Sequence, residues 1–294
     1  MLRWLLARQS VGFGVHAAGK AAGVVSNVVE LYTFATSSRS TGSSIGTAKW
    51  LVGATGNLTM FIVAGGITAS ATVATAEKYI YNSKSWSSTT SLATARNGLA
   101  GASNLTFGIF AGGINTVRLA VSEKFVFETQ AVSTVTSLND ARFNVAAAGP
   151  DSFAIFSGGV TTTDINLQDK YTYSNDSVAS TVTLIAARSF HSGAGNKTVG
   201  IFAGGYTTTF TATTEAYSYS SDTQSNGTSL SVARYGIGGM SVEEYAIFAG
   251  GWTGSVYVTT ADKYVFSSSS RTNYTSLGTA REGAGAASST PGHL

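Results

Sequence analysis

An apolar run ending in Gly-Gly, an acid followed at two and four residues by aromatics, and then a basic residue recur six times along this chain. The Gly pairs are Gly65-Gly66, Gly112-Gly113, Gly158-Gly159, Gly204-Gly205 and Gly250-Gly251, 46 or 47 residues apart, with a degenerate Ala18-Gly19 at the head. The acids are Glu30, Glu77, Glu123, Asp169, Glu215 and Asp262, and their aromatics run from Tyr32/Phe34 and Tyr79/Tyr81 to Tyr264/Phe266. The basic residue (Lys49, Arg96, Arg142, Arg188, Arg234, Arg281) always lies 19 positions after the acid. A constant spacing over six copies means one structural unit used six times, so the chain reads as an array rather than as several unlike domains.

The unit after Arg96 shows what each copy holds. A small-residue run, Asn97 to Ser103, is followed by Asn104-Leu105-Thr106 and the apolar Phe107 to Ala111. After Gly112-Gly113 and a polar segment come the alternating Ser122 to Glu128 and a final stretch, Val132 to Leu138. These are four short strands with turn chemistry between them. Four antiparallel strands per unit, without the long i, i+3, i+4 stripes of helical repeats, predict a radial array of small sheets, each packed on its neighbours.

Composition agrees and removes several function classes. Only 11% of the 294 residues are charged, Pro occurs twice and Gly 34 times, as suits a β-rich chain with many tight turns. A net charge of +3 on so few charges gives a weak field, and the basic residues cluster only at Arg3, Arg8 and Lys20, so no nucleic-acid partner is expected. With no cysteine there is no disulfide, thiolate metal site or thiol nucleophile. No window approaches the roughly 18 uninterrupted apolar residues of a membrane span. The opening MLRWLLARQS is basic and briefly apolar, but Arg8 interrupts it and the first repeat follows at once, which argues against a cleaved leader.

The joint spacing of Gly pair, acid-x-aromatic and Arg over residues 12 to 289 resembles the Kelch repeat, whose Gly-Gly ends the second strand and whose Arg opens the next blade. The resemblance is to a divergent branch. The Trp usual after the aromatic is present only as Trp86, and the Pro-Met usual before the Arg is replaced by pairs such as Ser137-Leu138. It implies an all-β, six-bladed β-propeller of four-stranded antiparallel blades. The last unit stops after a first-strand run, Gly283 to Ser288, and the first unit begins with a second-strand run, Gly12 to Ala17. Pairing the two would knit a composite blade and leave no open edge. The expected division is an N-terminal extension, 1–11, and a propeller, 12–294.

The acid and Arg of each unit read as structural pairs, since an enzyme needs one constellation whereas a blade-ordering pair is needed in every blade. The aromatic pairs share one strand face and read as packing. His16, His191 and His293 have no metal-ligand spacing, and no metal or cofactor is expected. Asp164, Asn166 and Asp169 lack the glycine and terminal Glu of a calcium loop and read as a polar loop entering the third strand. Four Asn-x-Thr triplets, at Asn57, Asn104, Asn196 and Asn226, read as chance in a Thr-rich chain. No Gly-x-Ser-x-Gly elbow is present, and the copper centre of Kelch-type oxidases needs a Cys, so no enzyme is expected.

If the repeats fix the scaffold, function lies where equivalent positions differ. The Kelch resemblance implies partner binding just after the Gly pair and just after the Arg. Those sets are Lys20, Ile67, Ile114, Val160, Tyr206, Trp252 and Trp50, Asn97, Phe143, Ser189, Tyr235, Glu282. Within them Trp50, Phe143, Tyr206, Tyr235 and Trp252 form an aromatic rim, either a recognition face or a plug of the central channel. The opposite rim, with Asn82 to Ser85, Ser174 to Ser177 and Ser267 to Ser270, reads as solvated turns. Arg3, Trp4, Leu5, Leu6 and Arg8 of the extension are expected to dock on a neighbouring subunit or to cap the ring. The expected function is a non-enzymatic module whose partners are other subunits of a larger assembly; the composition resembles bacteriophage virion and appendage proteins. The alternative is a carbohydrate-binding adhesin for a cell-surface glycan.

Overall fold

The computed structural model describes residues 12–289. Six four-stranded antiparallel sheets stand around a common axis. In the blade opened by Arg96 the strands are Ala100–Ser103, Phe107–Ala111, Ser122–Val126 and Val132–Val135, in that order from the axis outward. The first strand is shorter at its start than the sequence reading because Gly98 turns with φ 64°, and the third stops at Val126 because Gln130 turns left-handed at φ 58°. The innermost strands (Gly53–Gly56, Ala100–Ser103, Ala146–Ala148, Ser192–Gly195, Gly238–Ser241 and Gly285–Ser288) contact one another in a closed cycle of six. Only small residues allow this. A Cβ on Gly101 would lie 2.3 Å from the Ala54 carbonyl oxygen, and one on Gly193 2.2 Å from that of Ala147.

Ring closure is as the repeat phase predicts. Phe13–Ala17 pairs on one side with Gly285–Ser288, in the register Gly14 with Ser288 and Ala17 with Gly285, and on the other with Val29–Thr33. Chain ends thus complete one blade, whose outer strand is Ser38–Thr41. Among the described residues the single helical turn is Phe34–Thr36, and no helix is long and apolar enough to cross a membrane.

Each repeated acid meets a repeated base inside the protein. Lys49–Glu77, Arg96–Glu123, Arg142–Asp169, Arg188–Glu215, Arg234–Asp262 and Arg281–Glu30 lie at 3.7, 3.4, 3.0, 2.5, 2.9 and 3.2 Å, with all twelve side chains buried. The carboxylate also accepts backbone N–H groups from the linker that leads to its Arg: Ala93 and Thr94 on Glu123, Ile185 and Ala186 on Glu215, Gly278 and Thr279 on Glu30. Where the acid is the shorter Asp, one backbone donor reaches it and a side chain supplies the other, Asn139 Nδ2 on Asp169 and Ser231 Oγ on Asp262. The guanidinium donates onward to second-strand carbonyls, as Arg142 does to Phe156. One ionic node therefore fastens three segments, which is the structural role the sixfold recurrence implied.

The aromatic pairs are packing, as expected. Tyr171 and Tyr173 stand 6.0 Å apart, and Phe107 meets Tyr173 of the next blade edge-on at 5.5 Å. The polar turns of the far rim carry a feature the sequence reading missed. Lys124 pairs with Asp176 and Lys170 with Asp222 of the following blade, while Lys78 Nζ donates to Gln130 Oε1 at 2.6 Å. Three neighbouring blade interfaces are thereby clipped at their outer edge.

Three of the four Asn-x-Thr triplets close turns, whereas Asn226 lies in the outer strand Thr223–Gly227. Asn57, Asn104 and Asn196 each turn the hairpin between first and second strands, the Oδ1 accepting from the Thr N–H, the Thr hydroxyl and the next N–H at 2.8–3.0 Å. The calcium-like acids do not converge, since Asn166 Nδ2 donates to the Leu184 carbonyl and Asp169 serves Arg142.

Candidate functional site

The second-to-third-strand loops and the linkers into each first strand open on the same rim by the antiparallel path of the chain. Among the described residues, nine large hydrophobic side chains are exposed, and seven of them (Val24, Val117, Leu167, Ile185, Tyr206, Val232, Val256) belong to that rim, against Leu58 and Leu105 on the other. Apolar exposure is thus concentrated at one end of the ring.

The twelve rim positions form six reciprocal bridges. Trp50 and Ile67 exchange both backbone hydrogen bonds at 3.0 and 2.9 Å, and the same pairing joins Asn97 with Ile114, Phe143 with Val160, Ser189 with Tyr206, Tyr235 with Trp252, and Glu282 with Lys20. The Gly pair permits it. Both glycines of every pair have positive φ, and at the head Ala18 at 67° and Gly19 at 112° do the same. The pair therefore sits at the rim end of the second strand and shapes the loop.

Inside this collar lies a second ring. Leu51, Gly98, Asn144, Phe190, Gly236 and Gly283 stand two residues after each base, all with φ between 53° and 65°. Each donates its N–H to the carbonyl of its counterpart in the preceding blade, at 2.7–3.2 Å, and Leu51 closes the cycle on Gly283. This backbone girdle surrounds the mouth of a central well of about 120 Å³, lined by Asn144, Phe190, His191 and the innermost strands.

The five aromatic residues singled out in the sequence fall in three places. Tyr206, Tyr235 and Trp252 join one cluster, with Phe210 stacked on Tyr235 at 5.4 Å and edge-on to Tyr206 at 5.6 Å, Phe190 against Tyr235 at 4.9 Å, and Tyr257 against Trp252 at 4.4 Å. Trp50 lies across Gly283 with the Lys20 ammonium 4.7 Å over its ring. Phe143 lies over Gly98 in another part of the ring. Of the five, Tyr206 is exposed and the other four are half-buried. Phe210 and Tyr257 escaped the sequence reading, though their spacing to Tyr206 and Trp252 was visible; they are the cross-turn partners of those residues. The docking extension, Arg3, Trp4, Leu5, Leu6 and Arg8, lies outside the described residues.

Four titratable groups here are displaced by burial. Burial, reinforced by the charges of Arg188 and Arg142, drives His191 well below its ordinary value, and burial with Arg281 does the same to His16, whose Nδ1 accepts from Arg281 Nε at 3.2 Å. Burial lifts the Glu282 carboxyl above its ordinary value against the pull of the Tyr235 hydroxyl and of Lys20. The Tyr235 hydroxyl itself is pushed up to about 12, by burial first and then by Glu282. Among the described residues no three His, Asp or Glu side chains gather as metal ligands.

No protein-family model matches this chain, and no curated protein matches it. The architecture is a six-bladed β-propeller.

Proposed function

We propose that the protein is a non-enzymatic interaction module, a divergent Kelch-type propeller built into a larger assembly such as a bacteriophage virion, with other subunits of that assembly as its partners. The observation that carries this reading is the one-sided rim, where exposed Val24, Val117 and Val256 share the end of the ring that carries the Tyr206–Phe210–Tyr235–Trp252–Tyr257 cluster. Rigid aromatic side chains on a stiff scaffold are where binding energy concentrates. Gly12 and Ser289 both stand at the rim opposite the aromatic face. In this reading the extension 1–11 anchors the module at one end and the aromatic rim recognises at the other.

The alternative is a carbohydrate-binding adhesin, favoured by the same Trp252–Tyr257 pair, since sugar rings stack on such faces. Trp252→Ala tests both. Binding to the native assembly, or to an arrayed glycan, is expected to weaken by about 2 kcal/mol or more with stability nearly unchanged. A fall in melting temperature with binding intact would instead make Trp252 packing and remove the rim from the recognition role.

A further inference from the structure

The repeat breaks at the rim opposite the aromatic face, between the second and third blades. At three other interfaces an aromatic that starts the second strand lies under a lysine of its own blade and against an aromatic of the next. Phe107 lies under Lys124 and 5.5 Å from Tyr173, Phe153 under Lys170 and 5.4 Å from Tyr219, and Tyr245 under Lys263 and 6.1 Å from Phe34. In the second blade the equivalent residue is Met60, which packs against the cluster that holds Phe127. A thin, flexible side chain in place of a ring leaves a cleft of about 430 Å³, with Met60, Leu105, Val126 and Phe127 among its walls. Leu105 is left 46% exposed, so this wall lacks a cover.

The cleft also carries a carboxylate. Glu128 lines it, is exposed, and has no ion pair or hydrogen bond among the described residues. The equivalent residues of the other blades are Ala35, Asn82, Ser174, Ser220 and Ser267, so no other blade holds an acid here. Lys78 of the same interface does not serve it, because Lys78 donates to Gln130, which takes the place of Asp176 and Asp222 in the next two blades. An apolar trough with a free acid beside it fits a segment that is both apolar and basic.

Such a segment begins close by. Gly12 is the first blade's counterpart of Thr59, which lines the cleft one blade further on, and both stand at the same rim. Neighbouring sheets stack about 10 Å apart, whereas eleven residues reach roughly 36 Å when extended. The residues before Gly12 are MLRWLLARQSV, with Trp4, Leu5 and Leu6 between Arg3 and Arg8 and no acid. We propose that residues 1–11 of the same chain occupy this cleft, with Trp4, Leu5 and Leu6 against Met60, Leu105 and Val126 and an arginine on Glu128. Tethering gives the segment an effective concentration on the order of millimolar, so modest contacts suffice to seat it. The proposal concerns the free chain and stands whether or not that rim is the anchoring end.

The chain has no cysteine, so Ala7→Cys carries a single nitroxide and leaves the apolar and basic residues of the segment in place. Amide signals of the ¹⁵N-labelled full chain are compared with the nitroxide oxidised and reduced. Thr106 and Thr198 are equivalent residues two blades to either side of Gly12, so a tail without a seat would broaden both alike. A seated segment is expected to remove the Thr106 and Glu128 signals while Thr198 keeps its intensity. Leu105→Ser/Glu128→Lys, both at exposed positions, is expected to abolish that difference, and should this variant fail to fold, the two threonines in the otherwise unaltered chain decide. A mixture of ¹⁵N-labelled unmodified chain with spin-labelled chain of natural isotope content is expected to show no broadening. Equal broadening at Thr106 and Thr198, an undiminished difference in the folded double variant, or broadening of Thr106 in the mixture, which would put a second copy's extension in the cleft, would each overturn the proposal.

Discussion

Mild acid should destabilise this propeller through two histidines. His16 and His191 are buried, and each faces arginine rather than a carboxylate: Arg281 for His16, Arg188 and Arg142 for His191. In the folded protein both stay neutral well below 6.5, the value at which they protonate once unfolded. Below that pH the unfolded state binds more protons, so stability falls by about 1.4 kcal/mol per pH unit for each histidine. At pH 5.5 the two together cost about 3 kcal/mol relative to pH 7.5. With an unfolding entropy of about 2.1 cal/mol/K per residue over 294 residues, that is a fall of roughly 5 °C in melting temperature. The repeat itself supplies the control. Phe110, Phe156, Phe202 and Phe248 occupy the place of His16 in other blades, and Val52 and Val145 that of His191. Calorimetry on wild type and on His16→Phe/His191→Val at both pH values should show the fall in the first and its removal in the second. Glu282, whose raised value stabilises on acidification, is common to both proteins and drops out of the difference. Equal pH dependence in the two proteins would refute the assignment.

Arg142→Ala should cost about 3 kcal/mol by leaving Asp169 charged and buried without its base, read as a lowered midpoint in urea; a change near zero would mean the node is not what fastens the blade. Removing residues 282–294 takes away the innermost strand of the composite blade and should destabilise the whole ring, and a truncated chain that keeps the wild-type melting temperature would contradict closure. Deleting residues 1–10 should leave the fold intact and abolish incorporation into the assembly; unchanged incorporation would remove the anchoring role.

What the sequence disclosed and what it hid follow one physical distinction. The acid–base nodes, the aromatic packing, the blade count and the closing pair were legible because each depends on residue type at constant spacing, as Arg96 and Glu123 show. The girdle was not legible, because it depends on backbone conformation. Leu51 and Phe190 carry no local mark of a left-handed turn, and only Asn144 and the glycines at the equivalent positions 98, 236 and 283 hint that six residues share one φ. The triplets at Asn57, Asn104 and Asn196 read as chance in a Thr-rich chain because composition hides the turn that each Asn side chain closes.

The same distinction locates specificity. Around the girdle, four residues just after a base lean back over the girdle residue of the preceding blade: Trp50 covers Gly283, Phe143 covers Gly98 and Glu282 covers Gly236, while Tyr235 meets Phe190 edge-on. Large over small is what a closed iris needs, and aliphatic side chains at positions 50, 143 and 282 would fill those gaps as well. Aromatic rings and one buried carboxyl fill them instead, at a cost in desolvation that burial of Glu282 makes plain. A position that a cheaper residue could satisfy, in a scaffold otherwise repeated six times, is where this chain departs from structural need, and that departure is concentrated at the mouth of the ring.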